Sequence, residues 1–245
     1  MVMKIYINPG HSDKDPGAVV YETERKLNVK TSNYMAEHLQ ANYVCEIKVT
    51  DGKINSTAQV AAEANKWGAN LFVSNHNNAG GGDGYEALVH NEKRVPLGKV
   101  FEKHVKAAGQ NSRGVKLRPN LAVLRLTNMP AVLNEGAFVD NKKDIADWNE
   151  DHELKKLGIA YAEAAAEYLE LPKEAVETTP APTDHAAADK LYRVYNDAGK
   201  QVGSYSKEDN AFKKAKELLK NGGSVKITVV ELNLQMGRSA SSDAK

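Results

Sequence analysis

A single cysteine, Cys45, is the only thiol in 245 residues. No disulfide can form within the chain. Cys45 lies in a strand that reads as buried, where a packed, unreactive thiol is expected. No hydrophobic stretch reaches the length of a membrane span. The first residues, Met1 to Asn8, read as a strand at once and lack the layout of a signal peptide. Synthesis in the cytoplasm is therefore expected. An excess of charge is missing too: 33 Lys and Arg face 32 Asp and Glu, a formal net charge of +1. That balance gives no general attraction to nucleic acid.

What is present is an ordinary globular composition, 41% hydrophobic and 27% charged. The length suits one medium domain, alone or with a small appendage. Lys4–Asn8, Cys45–Val49, Leu71–Asn75, Tyr85–His90, Ala122–Leu124 and Ala131–Asn134 read as strands. Helices are expected over Glu24–Leu39, from a Ser56 cap to Trp67, and over Pro96–Ala108. A last, long helix carries Leu154, Leu157, Tyr161, Ala164 and Tyr168 at helical spacing. Strands alternating with helices imply an α/β fold, with a mixed, largely parallel sheet flanked by helices.

Composition changes after residue 171. Residues 172–188 are rich in Pro, Thr and Ala and nearly free of large apolar side chains, which reads as an extended linker. A small α+β module (ββαβ) is expected over 189–235. Its strands are Leu191–Tyr195, Gln201–Tyr205 and Val225–Leu232, and its helix spans Lys207–Leu219. Residues 236–245 are small and polar, as in a disordered tail. The resulting division is 1–171, 172–188, 189–235 and 236–245. Residues 1–172 carry 21 basic and 22 acidic side chains; residues 185–245 carry 11 and 7. A basic module suits an anionic wall polymer, although lysines clustered on one short helix also fit a plain solvated face.

Four residues stand out: His11, Glu24, His76 and Glu135. Asn8-Pro9-Gly10-His11 sets a histidine just past a strand, where ligands of open α/β sheets gather. Ser74-Asn75-His76-Asn77-Asn78 follows an apolar strand and precedes the glycine-rich stretch 80–84. A histidine flanked by amides there is poor core material. Glu135 ends the apolar run 130–133, where an uncompensated carboxylate is costly. Glu24 opens the first helix, although the helix dipole alone favours a carboxylate there and Glu22 would serve equally. Two imidazoles and one carboxylate can hold a zinc ion with a position left open, and a second carboxylate can move protons. His38, His90, His104, His152 and His185 lack such company.

The motifs Ile7–His11, Asp15–Ala18, Glu24–Asn28, Ser74–Ala79, Gly84–Glu86, Arg113–Lys116, Leu121–Arg125 and Met129–Asn141 stand in order over residues 4–169. Together they resemble the zinc-dependent N-acetylmuramoyl-L-alanine amidases of the amidase-3 type. Ala137 stands where that family commonly has glycine. The resemblance implies that His11, Glu24 and His76 bind Zn2+ and that Glu135 is the catalytic carboxylate; it favours Glu24 over Glu22. It implies hydrolysis of the amide between N-acetylmuramic acid and L-alanine in bacterial peptidoglycan. Asn77, Asn78 and the loop Gly80–Gly84 are expected to shape the peptide groove. An amidase without a leader, followed by a small module, resembles a phage endolysin that reaches the wall through a holin-type pore, though a bacterial autolysin or spore-lysis amidase fits as well. The tail resembles the wall-binding modules of such enzymes. A non-catalytic wall-binding protein, or another zinc peptidase or deacetylase, is the competing reading.

Overall fold

The computed structural model describes residues 2–54, 56–174, 190–195, 201–205, 214 and 226–231. The chain divides into two compact units, Met1–Glu174 and Ala175–Lys245.

The first unit is built on six strands: β1 (Met3–Pro9), β2 (Cys45–Val49), β3 (Leu71–Asn78), β4 (Tyr85–Val89), β5 (Ser112–Leu117) and β6 (Ala131–Phe138). Their order in the sheet is β2-β1-β3-β6-β4-β5. Every pairing is parallel except β4 with β6. Parallel strands are covered on both faces, so they read as continuous apolar runs; Ile5–Ile7, Leu71–Val73 and Ala131–Leu133 are all buried.

One sheet face, through Ile5, Ile7, Val73 and Val132, packs on α1 (Glu24–Asn42), α3 (Val95–Ala107) and α6 (Asp151–Tyr168). Met35, Leu39, Phe101 and Tyr161 complete that core. The other face, through Tyr6, Phe72, Leu88 and Leu133, packs on α2 (Thr57–Trp67) and α4 (Ala122–Arg125). The Ser56 hydroxyl accepts from the Gln59 N–H and caps α2, and Gly68 ends that helix in the left-handed conformation. A short helix α5 (Lys142–Asp147) follows β6.

Two expectations change, and one strand, β5, is not among those expected. Ala122–Leu124 is not a strand but the start of α4, closed by the Arg125 N–H on the Leu121 carbonyl at 2.9 Å. Three apolar residues fit either element, and here Val123 and Leu124 bury one side of a turn against α2 and β6. β5 carries no apolar run because it is a half-exposed edge strand with a register shift against β4. The strands at the centre also run on: β3 reaches Asn78 and β6 reaches Phe138, so His76 and Glu135 lie inside strands and not beyond their ends.

Pro172 and Glu174 are tied to the first unit. The Val44 N–H donates to the Pro172 carbonyl, and the Glu174 N–H to the Asn42 carbonyl. The rest of the expected linker, 175–188, lies outside the described residues. In the second unit, β7 (Lys190–Tyr195), β8 (Gln201–Tyr205) and β9 (Lys226–Glu231) form an antiparallel sheet in the order β8-β7-β9. The expected helix over 207–219, apart from helical Lys214, and the tail 236–245 lie outside the described residues. Among the described residues no helix is long and apolar enough to cross a membrane.

Candidate active site

Strand register places the polar groups in one row. His76 of β3 pairs with Glu135 of β6, and Glu135 pairs with Glu86 of β4. Side chains alternate across a strand, so these three share the face of Phe72, Leu133 and Leu88. At the near edge of the row the Gly10 N–H donates to the Asn75 carbonyl and extends β1 by one residue. His11 follows, with φ of 66°. That left-handed backbone is costly for a histidine, and the surrounding contacts hold it in place. At the far edge, Arg113 of β5 donates through Nε to Glu86 Oε1 at 2.6 Å.

Glu24, the first residue of α1, joins the two histidines. His11 Nε2 lies 2.9 Å from Glu24 Oε2, and His76 Nδ1 lies 3.0 Å from Glu24 Oε1. The Ala18 and Asn77 N–H groups also donate to this carboxylate, at 3.0 and 3.3 Å. Glu24 is 5% exposed. Burial alone would raise its carboxyl; the hydrogen bonds from His11 and His76 overcome that and hold it well below the usual carboxylate range. Glu22, by contrast, pairs with Lys26 at the surface at 2.9 Å.

The backbone has to come close to make this cluster. A Cβ on Gly10 would lie 2.3 Å from the His76 ring, and one on Gly17 would lie 2.5 Å from Glu24 Oε2. Gly17 also has φ of 69°, which only glycine adopts without strain. Asp15 Oδ2 sits 2.9 Å from His11 Nδ1, so a proton on Nδ1 leaves Nε2 as the free donor atom.

His11, Glu24 and His76 offer ligand atoms that all lie within 4.8 Å of one another, and no other such group occurs among the described residues. A buried carboxylate between two imidazoles requires a cation. The Glu24 hydrogen bond, working against burial and with help from Asp15, pushes His11 up to about 9, so a proton is held there. A divalent ion would replace that proton. Two neutral imidazole nitrogens and one carboxylate are a donor set that suits zinc and leaves a position open.

Glu135 is different in kind. Its Oε2 is buried without a hydrogen-bond partner. Burial first, then the charges of Glu24 and Glu86, push its carboxyl up to about 8. A cation held by the neighbouring cluster would pull it back down.

Of the amides near His76, Asn75, Asn77 and Asn134 are buried and bonded within the fold. Asn75 donates to Ser32 Oγ at 3.0 Å, Asn134 donates to Asn75 Oδ1 at 3.0 Å, and the Tyr85 hydroxyl donates to Asn134 Oδ1 at 2.7 Å. Asn77 is buried and donates to Asn28 Oδ1 at 2.9 Å, which ties β3 to α1 behind Glu24. Asn78 is part-exposed; its Oδ1 accepts from the Ala79 N–H, and its carbonyl from the Val139 N–H. Asp140 Oδ2 pins the loop by accepting from the Gly80 and Gly81 N–H groups. His38 and His104 are spent on Glu163 and Glu167, at 2.6 and 2.8 Å. Sequence reasoning passed over Asp15, Glu86 and Arg113 as individual groups. The four-residue spacing of His11 and Asp15 was the available sign for the first; the other two depend on strand register.

Residues 5–167 match the N-acetylmuramoyl-L-alanine amidase family, Amidase_3. The chain is 32% identical over 183 residues to the N-acetylmuramoyl-L-alanine amidase CwlM of Bacillus licheniformis, spanning 71% of this chain and 72% of that protein. It is also 32% identical over 203 residues to the endolysin of Bacillus phage SPP1, spanning 78% and 74%. The catalytic domain of CwlV, an N-acetylmuramoyl-L-alanine amidase from Bacillus (Paenibacillus) polymyxa var. colistinus, superposes with a TM-score of 0.66 at 27% identity. That likeness covers 70% of this chain and all of the other. The match runs through the elements that carry His11, Glu24, His76 and Glu135, and the chain belongs to the N-acetylmuramoyl-L-alanine amidase family.

Proposed function

We propose that this chain hydrolyses the amide bond between N-acetylmuramic acid and L-alanine in peptidoglycan, using a zinc ion held by His11, Glu24 and His76. One observation carries the reading: a three-donor cluster of zinc type stands next, in the strand register, to a carboxylate with a buried, unpartnered oxygen.

Zinc bound there supplies a Lewis acid that makes water ionisable near neutral pH and draws electrons from the scissile carbonyl. Glu135 is the proton carrier. It takes a proton from the attacking water and returns one to the alanine nitrogen as the bond breaks. Its unpartnered Oε2 is free to accept that proton. Asp15 keeps His11 in the tautomer and orientation that present Nε2. Asn78 and the Gly80–Gly84 loop flank the row where the peptide would lie.

The second unit, with its excess of basic side chains, is assigned to an anionic polymer of the wall. Likeness to the phage endolysin supports action at the wall, reached from the cytoplasm through a pore made by another protein.

Mass analysis of digested peptidoglycan tests the reaction. Free amino groups on alanine are expected; cleaved sugars or other cleaved peptide bonds would reject it. Elemental analysis should find one zinc per chain in the parent and none in His76→Ala. A chain cut after Glu174 should cleave soluble muramoyl peptides but lose retention on walls, and undiminished retention would reject the role given to the second unit.

A further inference from the structure

We infer that Arg113 selects the substrate by binding a carboxylate on the residue that follows alanine in its peptide. This rests on the amidase reading above and concerns the same site.

Glu86 is 5% exposed, and a buried carboxylate needs a partner. Arg113 supplies one, but through Nε alone, at 2.6 Å. A guanidinium has five N–H donors in a rigid fork. Its two terminal nitrogens have no partner among the described residues, and the side chain is 44% exposed. The group is also held from below: its Cζ lies 5.3 Å from the centre of the Phe138 ring. Phe138 is itself packed under Gly82, where a Cβ would come within 2.3 Å of the ring. Glu86 and Phe138 thus fix the plane of the fork and leave its outer end exposed. A flexible surface arginine lacks such supports.

The spacing fits a peptide. Arg113 stands two strands from Glu135 in the order β6-β4-β5, about 10 Å at the usual separation of neighbouring strands. Two residues of extended peptide span about 7 Å, which leaves about 3 Å, the length of one hydrogen bond. A carboxylate one residue beyond the cleaved alanine therefore meets the guanidinium while the alanine nitrogen stays beside Glu135.

The opposite side of the cluster differs in chemistry. A cavity of about 150 Å³ beside His11 and His76 is lined by Asn8, Asp15, Ile54, Ser56, Thr57, Val60 and Val123, and among the described residues no Lys or Arg lines it. That wall suits an uncharged sugar. The substrate accordingly crosses the end of the sheet with its glycan towards α2 and its peptide towards β5.

Two N-acetylmuramoyl-L-alanyl dipeptides distinguish the assignment, one with a free α-carboxylate on the second residue and one with the carboxamide there. Charge-assisted, forked recognition predicts that the parent enzyme prefers the acid about tenfold in kcat/KM. The double variant Glu86→Gln/Arg113→Gln keeps a neutral hydrogen-bonded pair while removing both charges. Its acid-to-amide ratio should fall to near one, and Arg113→Lys should keep part of the preference. A parent ratio near one, or equal losses on both substrates in the double variant, overturns the assignment. If the parent frees no alanine amine from either substrate, the amidase reading falls first and takes this with it.

Discussion

Glu135→Gln separates two things that Glu135 does, one in the fold and one in the reaction. In the metal-free protein its carboxyl moves from an ordinary 4.5 to about 8, through burial first and then the charges of Glu24 and Glu86. Between those two values the folded chain holds a proton that the unfolded chain has released. Stability therefore falls as pH rises from about 4.5 to about 8. At 1.36 kcal/mol per pH unit the whole difference is about 5 kcal/mol. Glu135 keeps partial contact with solvent, which screens some of that, so roughly 2–3 kcal/mol is expected. The isosteric amide cannot ionise and escapes this penalty. Urea unfolding of the chelated proteins at pH 5 and pH 8.5 reads it directly: nearly equal stabilities at the lower pH, and a more stable variant at the higher. Zinc should narrow the gap, because the cation relieves the same penalty in the parent. Wall hydrolysis by the variant should drop about a hundredfold to ten-thousandfold, the usual worth of a positioned proton carrier. Equal stabilities at pH 8.5 would refute the buried, unpaired carboxylate. A variant with a tenth of parental hydrolysis, or without zinc, would refute the division of labour between Glu135 and the three ligands.

Asp15→Asn should lower zinc affinity about tenfold to a hundredfold in a chelator competition, since the partner of His11 Nδ1 loses its charge; unchanged affinity would remove Asp15 from the site. Gly10→Ala drives a methyl into the His76 ring, so zinc content should fall while the helical circular dichroism persists. Full zinc occupancy in that variant would show that the backbone can give way there. The Cys45 thiol is pushed up to about 11 by burial and then by Glu174. At pH 8 its thiolate is about one part in a thousand, so alkylation of the native chain should run at least about a hundredfold slower than in urea. Comparable rates would mean that the strand carrying Cys45 opens freely.

The sequence carried the site further than the fold around it. His76 and Glu135 follow apolar strands, so their polarity contrasts with what precedes them, and His11 follows a Pro-Gly turn. Glu24 was ambiguous because a helix dipole favours any first-turn carboxylate; only packing shows that Glu24 is buried between two histidines while Glu22 reaches the solvent and Lys26. β5 escaped notice for a related reason. A half-exposed edge strand, with Arg113 and Lys116 interspersed and Gly114 at φ of 88°, carries no periodic apolar signal. α4 was misread because three apolar residues hold too little periodicity to tell a turn of helix from a strand.

The amides around His76 show what local polarity cannot decide. The polar stretch around His76 reads as site material, yet Asn75, with Asn134 of the neighbouring strand, is buried and engaged with Ser32 and Tyr85 on the α1 side of the sheet. His76 and Glu135, one position along each strand, face the other way. The alternation of side chains that gives this sheet two cores thus also divides its polar end into two functions. On one face every amide has a partner, which fixes β3, β6 and α1 against one another. On the other, Glu135 Oε2 is left without a partner and two histidines converge on one carboxylate. The satisfied face supplies the rigidity that lets the unsatisfied one persist, because a lone buried carboxylate on a yielding frame would rotate towards water. Loosening the amide network, as in Asn75→Ala, should therefore weaken zinc binding although Asn75 never touches the metal cluster's ligand atoms.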